Sequence, residues 1–261
     1  MRTELVSEPG SPDRPNEDFA SVALPASGQG GALVVLDGVT PPPGETGCLH
    51  SVPWFTARLG GALIEMTVSL LDVPLTEALS RAIAHTAGAH AETCDLSHPR
   101  TPQATVVLAR WSPAMVEYLV LSDSALLVES PAGTVTALLD DRLSRLPRAS
   151  LATDALTDAT LRNKEGGFFT AAADPAVAAR AVTGVLRRED VRALAALTDG
   201  ATRWVEKFRE GGWEDCFTLV RKEGPRALVD RVRALERADV DRAHLGRSKR
   251  HDDATVVYAE L

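Results

Sequence analysis

Aromatic side chains are scarce in this sequence of 261 residues: only 5% are Phe, Trp or Tyr, against 44% hydrophobic residues in all. Any core must therefore be built chiefly from Ala, Val and Leu. Cysteine is scarcer. Cys48, Cys94 and Cys216 are odd in number, far apart and without CxxC spacing, which argues against a disulfide framework and against a structural zinc site. They read as buried or idle thiols in a reducing compartment. Long apolar runs are missing too, and a membrane span would need about 18 consecutive apolar residues. The opening stretch MRTELVSEPGSPDRPNED carries no apolar core of a signal peptide. Together these absences predict a cytoplasmic protein. Positive charge is also in deficit, with 28 Lys and Arg against 36 Asp and Glu. An acidic surface repels nucleic acid and anionic membrane, and neither is expected as a partner. It would repel phosphorylated substrates as well, unless a local positive focus such as bound cations offsets it.

What is present is a set of short, strongly patterned segments. A Pro/Gly/Asp-rich loop over 7–17 leads into DFASVAL at 18–24, which alternates like a strand, and GALVVL at 31–36 reads as a buried strand stopped at Asp37-Gly38. Two helices are predicted at 52–71, with Trp54, Leu59, Leu63 and Met66 at helical spacing, and at 75–93, after Pro74 with Thr76 as a cap. His85 and His90 fall five apart there and read as solvated. Strands return at 104–110, 115–121 and 125–129, joined by short turns that imply antiparallel meanders. Residues 141–170 read as an irregular flap and 175–188 as a helix opened by Pro175. A strand at 191–197 runs into Thr198-Asp199-Gly200. Helices follow at 201–208, 213–222 and 225–238, and a last strand at 254–259. The Arg-rich run at 225–250 reads as an exposed, salt-bridged face. Helices and strands come in blocks, which is the α+β pattern, and nothing marks a domain boundary.

Aspartates recur where an apolar strand meets a turn: Asp18, Asp37, Asp123, Asp199 and Asp252-Asp253. Any one Asp-Gly pair is ordinarily just a turn. As an ordered set they are carboxylates on rigid strand ends whose mutual repulsion a divalent cation would relieve, and such oxygen donors suit magnesium or manganese rather than zinc. Two cations of this kind can hydrolyse a phosphate ester.

The series Asn16-Glu17-Asp18, Val35-Leu36-Asp37-Gly38, Ala104-Thr105-Val106-Val107, Leu121-Ser122-Asp123-Ser124, Leu197-Thr198-Asp199-Gly200 and Asp252-Asp253-Ala254-Thr255-Val256-Val257 resembles the motifs of the metal-dependent (PPM, type 2C) serine/threonine protein phosphatases, in order and over nearly the whole chain. Gly166-Gly167-Phe168 through Asp174-Pro175 resembles bacterial members. The resemblance implies one phosphatase domain over 1–261, folded as a four-layer αββα sandwich of two antiparallel sheets flanked by helix pairs. It implies hydrolysis of phosphoserine and phosphothreonine in proteins by a water that two Mn2+ or Mg2+ ions activate. By the same resemblance Asp37 bridges the two ions, the Gly38 carbonyl binds one, and Asp199 and Asp252 complete the second. Glu17 and Asp18 act through bound waters, Asp123 belongs to a third, weaker site, and Arg14 holds the substrate phosphate. Four departures stand out. The Ser122-Asp123-Ser124 turn lacks the usual leading Gly. Val39-Thr40-Pro41-Pro42-Pro43 replaces a Gly-rich continuation and supplies no His. Arg14 is one residue closer to the acidic pair than usual. Arg203 stands where relatives often carry an acidic third-site ligand, and is expected near Asp123. His251 is a candidate to orient Asp252. A phosphatase-fold binding module of weak activity and a phosphatase of small phosphorylated metabolites are the competing readings.

Overall fold

The computed structural model describes residues 2–151, 153–245 and 249–261. Ten strands form two antiparallel five-stranded sheets. One runs in the order β1 (Thr3–Glu8), β10 (Ala254–Glu260), β9 (Ala193–Leu197), β6 (Ala125–Glu129) and β7 (Val135–Leu139). The other runs β2 (Phe19–Ala23), β3 (Gly31–Leu36), β4 (Val106–Trp111), β5 (Met115–Leu121) and β8 (Val182–Arg187).

The run Gly31–Leu36 is apolar at nearly every position because both faces of β3 are covered. Leu33 and Val35 point between the sheets, where they meet Val107, Leu126, Ala196 and Val257. Val34 and Leu36 point the other way, against Phe55, Leu59 and Leu63 of α1 (Val52–Ser69) and Leu79 and Ile83 of α2 (Leu75–Gly88). This is the two-residue period of a strand buried on both sides. A matching layer lies outside the other sheet, where Leu197, Val256 and Tyr258 pack on Phe217, Val220 and Val229. Those side chains come from α6 (Trp213–Glu223) and α7 (Pro225–Ala238), which follow α5 (Asp199–Glu206). Three apolar layers between four layers of secondary structure make the predicted αββα sandwich, and each fully buried Leu or Val contributes about 1.5–3 kcal/mol. Ser51 starts α1 by accepting the Trp54 N–H, an N-cap worth about 1 kcal/mol.

Several sequence expectations are corrected. The predicted helix at 175–188 is a short 3-10 turn, Pro175–Arg180, followed by β8, which pairs with β5 in the register Tyr118↔Gly184. Alanine content suggested helix, but an open sheet edge took the segment. β1 went unseen because it is a half-buried edge strand. The flap at 141–170 holds two short helices, α3 (Arg142–Arg145) and α4 (Asp154–Thr160). Pro74 rather than Thr76 precedes α2, with no side-chain cap. Within the Arg-rich run, Arg233 and Glu236 are buried and ion-paired, so α7 is not an exposed face throughout. Residue 152 of the flap and 246–248 of the Arg-rich run lie outside the described residues. His90 is 2% exposed rather than solvated, and Cys48 Sγ lies 3.0 Å from Cys94 Sγ, so those two thiols are not unrelated.

Candidate active site

Register assembles the carboxylates. Phe19 pairs with Leu36 across β2 and β3, so Asp18 and Asp37, one residue beyond each, stand side by side at the same sheet end. Leu197 pairs with Val256 across β9 and β10, which sets Asp199 and Asp252-Asp253 at the corresponding end of the other sheet. The two ends are tied to each other. Thr198 and Thr255 donate their hydroxyls to Asp18 Oδ2 at 3.0 and 2.7 Å, and the Asp199 N–H donates to Asp37 Oδ2 at 3.2 Å. Thr105 Oγ1 accepts the Asp37 N–H at 3.2 Å and lies 2.6 Å from Ser124 Oγ, which couples Asp37 to the turn that carries Asp123.

Two glycines permit this crowding. A Cβ on Gly38 would sit 2.4 Å from Val52 Cγ1 and 2.5 Å from the Glu17 carbonyl. One on Gly200 would sit 2.0 Å from the Asp253 carbonyl. Asp253 is spent on structure: its carboxylate accepts the Gly10 and Glu17 N–H groups, each at 2.7 Å, and so pins the 9–18 loop to the site. Glu17 accepts the Thr40 hydroxyl, and burial raises its carboxyl, with the charges of Asp253 and Asp252 adding to the rise.

The electrostatic consequence is large. Burial raises the Asp37 carboxyl well above the usual range, and the charges of Asp199, Asp18, Asp252 and Asp123 push it further. Burial lifts Asp18 to about 8, against the pull of the Thr255 and Thr198 hydroxyls. Asp199 rises to about 7, first from burial and then from Asp252 and Asp123. Asp123 is raised by burial. Burial and, in smaller part, Asp123 also raise Glu206, so the last residue of α5 belongs to this neighbourhood. Sequence reading missed Glu206 because it follows Asp199 by seven positions, two helical turns on.

These residues fit a hard divalent cation. The donors are all oxygen, and Asp18 Oδ1 is buried without a hydrogen-bond partner. Among the described residues no three carboxylates bring their oxygens within 4.8 Å of one another.

Arg203 is not beside Asp123 as expected. It is buried, with Nη1 2.6 Å from Glu236 Oε1 and Nη2 2.9 Å from Asp252 Oδ2. Arg162 and Asp140 are among the charges that act on Asp123. Lys249 Nζ lies 2.7 Å from Asp252 Oδ1, so both oxygens of Asp252 face a cationic side chain. His251 turns to Glu236, with Nδ1 2.8 Å from Oε2, and makes no side-chain hydrogen bond to Asp252 among the described residues. Ser122 takes a left-handed backbone at φ 70 and gives its hydroxyl to Asp123 Oδ1 at 3.0 Å.

A cleft of about 580 Å³ opens above Asp199 and Asp252. Val39, Thr40 and Pro41–Pro43 form one wall, Pro99–Thr101 and Gln103 a second, and Asp158 with Arg162 a third. Arg14, Arg100, Arg162 and Lys207 bring positive charge to it, a local positive focus on an otherwise acidic chain. Asp158 holds Arg100 and Arg162 at 3.0 Å each, whereas the exposed Arg14 side chain has no ion pair among the described residues. Among the described residues no helix is long and apolar enough to cross a membrane.

A sandwich whose two sheets converge on an all-oxygen cluster of carboxylates, under a basic cleft, defines a metal-dependent phosphatase fold. The protein phosphatase 2C family model matches residues 11–234, and the chain belongs to that family. It is accordingly a hydrolase of the serine/threonine phosphatase class. The fold is similar to the serine/threonine phosphatase Stp1 from Staphylococcus aureus (15% identity, TM-score 0.60), covering 100% of this chain and 95% of that one. It is also similar to a serine-threonine phosphatase 2C from Toxoplasma gondii (16%, TM-score 0.60, covering 98% and 93%). The serine/threonine phosphatase PstP/Ppp of Mycobacterium tuberculosis is similar as well (14%, TM-score 0.57, covering 100% and 98%). Sequence comparison with curated proteins yields no significant match.

Proposed function

We propose that the whole chain is one phosphatase domain that removes phosphate from phosphoserine and phosphothreonine in proteins, using two Mn2+ or Mg2+ ions. The observation that carries this reading is the meeting of Asp18, Asp37, Asp199 and Asp252 at the ends of both sheets, with burial and mutual repulsion raising the first three. Asp37, the Gly38 carbonyl, Asp199 and Asp252 would hold the ions directly, Glu17 and Asp18 through waters, and Asp123 a third and weaker ion. When bound, such ions lower the pKa of the attacking water and clamp the phosphoryl oxygens.

The remaining work falls to the chain. The Asp199 amide fixes the Asp37 carboxylate, and Thr198 with Thr255 fix Asp18, so neither needs to reorganise during turnover. Arg14 has no ion pair among the described residues, and its guanidinium offers a phosphate two parallel N–H donors. A neighbouring hollow of about 310 Å³ shares Arg14, Thr40, Lys249 and Asp252 with the main cleft, so Arg14 sits where the two meet. The same reading keeps the protein in the cytoplasm.

One observation favours a second reading. Arg203 and Lys249 already neutralise Asp252, and if they keep that carboxylate from an ion, the chain is a binding module of weak activity. The deciding experiment is a manganese titration of purified protein on an aryl phosphate, phosphoserine and phosphothreonine peptides, and a panel of phosphorylated metabolites, with Asp37→Ala as control. Metal-dependent turnover of the peptides supports the proposal. Tight peptide binding without turnover favours the module, and turnover confined to metabolites changes the substrate.

A further inference from the structure

Apart from the aspartate cluster, and unlike it in chemistry, two cysteines and two histidines converge. Cys48 and His50 lie in the loop before Ser51, the N-cap of α1. His90 and Cys94 lie just past the end of α2. Their ligand atoms all fall within 4.8 Å of one another, the one such group among the described residues. Cys48 Sγ is 3.0 Å from Cys94 Sγ, 3.4 Å from His90 Nδ1 and 3.7 Å from His50 Nδ1, and His50 Nδ1 is 3.4 Å from Cys94 Sγ. A tetrahedral zinc ion, with Zn–S about 2.3 Å and Zn–N about 2.0–2.1 Å, sets its ligand atoms about 3.3–3.8 Å apart. Three of the four separations lie in that range, and the sulfur pair would open slightly.

We propose that Cys48, His50, His90 and Cys94 form a closed tetrahedral zinc site, separate from the carboxylate cluster. Independent features of the surroundings point the same way. The backbone N–H groups of Leu49 and His50 donate to Cys94 Sγ and Cys48 Sγ, each at 3.4 Å, as suits sulfurs that carry thiolate charge. His90 is almost wholly buried, yet Nε2 has no hydrogen-bond partner and Nδ1 meets only sulfur. A buried imidazole left with such weak partners is costly, and a metal bond at Nδ1 would replace its weak contact with sulfur. Trp54 covers the site, its ring 4.0 Å from that of His50 and 5.2 Å from that of His90. Two soft sulfurs and two imidazoles select zinc over magnesium or manganese, and four protein ligands leave no open position, so the site is structural.

Its place in the fold gives the site a purpose. The 39–51 loop supplies the Val39–Pro43 wall of the cleft, and the chain from 89 to 103 supplies the Pro99–Gln103 wall. The quartet joins them at their far ends, beside the Asp95 N–H to Gly47 carbonyl bond of 2.7 Å. Zinc would clasp two walls of the cleft without touching the reacting atoms.

The full chain, purified under reducing conditions without added metal, is assayed for metals by mass spectrometry. About one zinc per chain is expected after dialysis. That zinc should persist in Asp37→Ala and be lost in Cys94→Ser and His50→Ala. Replacing it with cobalt should give the intense visible bands of a tetrahedral site and a thiolate-to-cobalt charge-transfer band. The wild-type cobalt spectrum decides the matter even if the cysteine variants fail to fold. Zinc that disappears in Asp37→Ala but stays in Cys94→Ser would place the ion at the aspartates and overturn the proposal. So would zinc-free protein, whether its thiols titrate freely or Cys48 and Cys94 are joined in a disulfide under non-reducing conditions.

Discussion

The Arg203 guanidinium holds Oδ2 of Asp252 at 2.9 Å, and its other arm is buried on Glu236. A carboxylate at the lip of the cleft is thereby linked to a charge cluster in the α5–α7 layer, where Arg233 and His251 also reach Glu236. Removing one partner of a buried pair typically costs about 3–5 kcal/mol, because the other charge is left stranded. Arg233 and His251 would still hold Glu236, so Arg203→Ala should lie at the low end, about 3 kcal/mol by urea unfolding. The same variant should reach half-maximal activity at lower manganese, since Asp252 loses a competing cation. A loss of stability below about 1 kcal/mol would mean that the buried pair does little to hold the layer.

Asp37→Ala and Asp199→Ala should each lower turnover by more than about a hundredfold, beyond the 10–100-fold typical of residues that merely support a ligand. Both should remain folded. In protein dialysed free of magnesium and manganese, Asp37→Ala should melt above the wild type, since it removes a carboxyl whose charge burial and four neighbouring aspartates oppose. Near-normal turnover in either variant would overturn the ligand assignment, and a lower melting temperature for metal-free Asp37→Ala would overturn the repulsion argument.

Most of this cluster was legible in the sequence, because the ends of apolar strands are easy to read and Asp18, Asp37, Asp123, Asp199 and Asp252 each sit beside one. What escaped was set by long-range partners. β8 is a strand only because β5 offers it an edge. Four positions after Asp199, Arg203 is expected near Asp123, but its direction is fixed by Glu236, 33 residues on. The Cys48–His50 and His90–Cys94 pairs carry little signal alone, and their meeting depends on how α1 and α2 pack, which no local pattern encodes.

The raised carboxyls fix a pH dependence for the metal-free protein. Asp18 and Asp199 titrate near 8 and 7 when folded, against about 3.9 in an unfolded chain. A folded pKa above the unfolded value means that the stabilising contribution is complete below about 3.9 and is lost as pH rises through the folded values. Protein free of magnesium and manganese should therefore lose melting temperature between about pH 5 and pH 8. Manganese binds the ionised forms, so the gain it gives should be larger at pH 8 than at pH 6, with protons released on binding. Differential scanning fluorimetry across this range checks both, and a metal-free melting temperature that rises steadily from pH 5 to pH 8 would contradict the assignment.

The last prediction concerns Asp158, which ties α4 to the opposite wall. Its carboxylate accepts from Arg100 and Arg162 at 3.0 Å each and is itself buried. All three residues line the cleft, yet none is hydrogen-bonded to Asp37 or Asp199 among the described residues. Asp158→Asn removes the charge that holds the guanidiniums together, and the 141–170 segment should then swing more freely over the entrance. A phosphopeptide must be gripped along its backbone to react, whereas an aryl phosphate needs only the floor of the cleft. KM for phosphopeptides should therefore rise by about tenfold, or about 1.4 kcal/mol, while kcat/KM for the aryl phosphate stays within about twofold. Equal losses on both substrates would make this wall part of the chemical site. A lower KM for phosphopeptides would show instead that Arg100 and Arg162, once released, bind the phosphopeptide themselves.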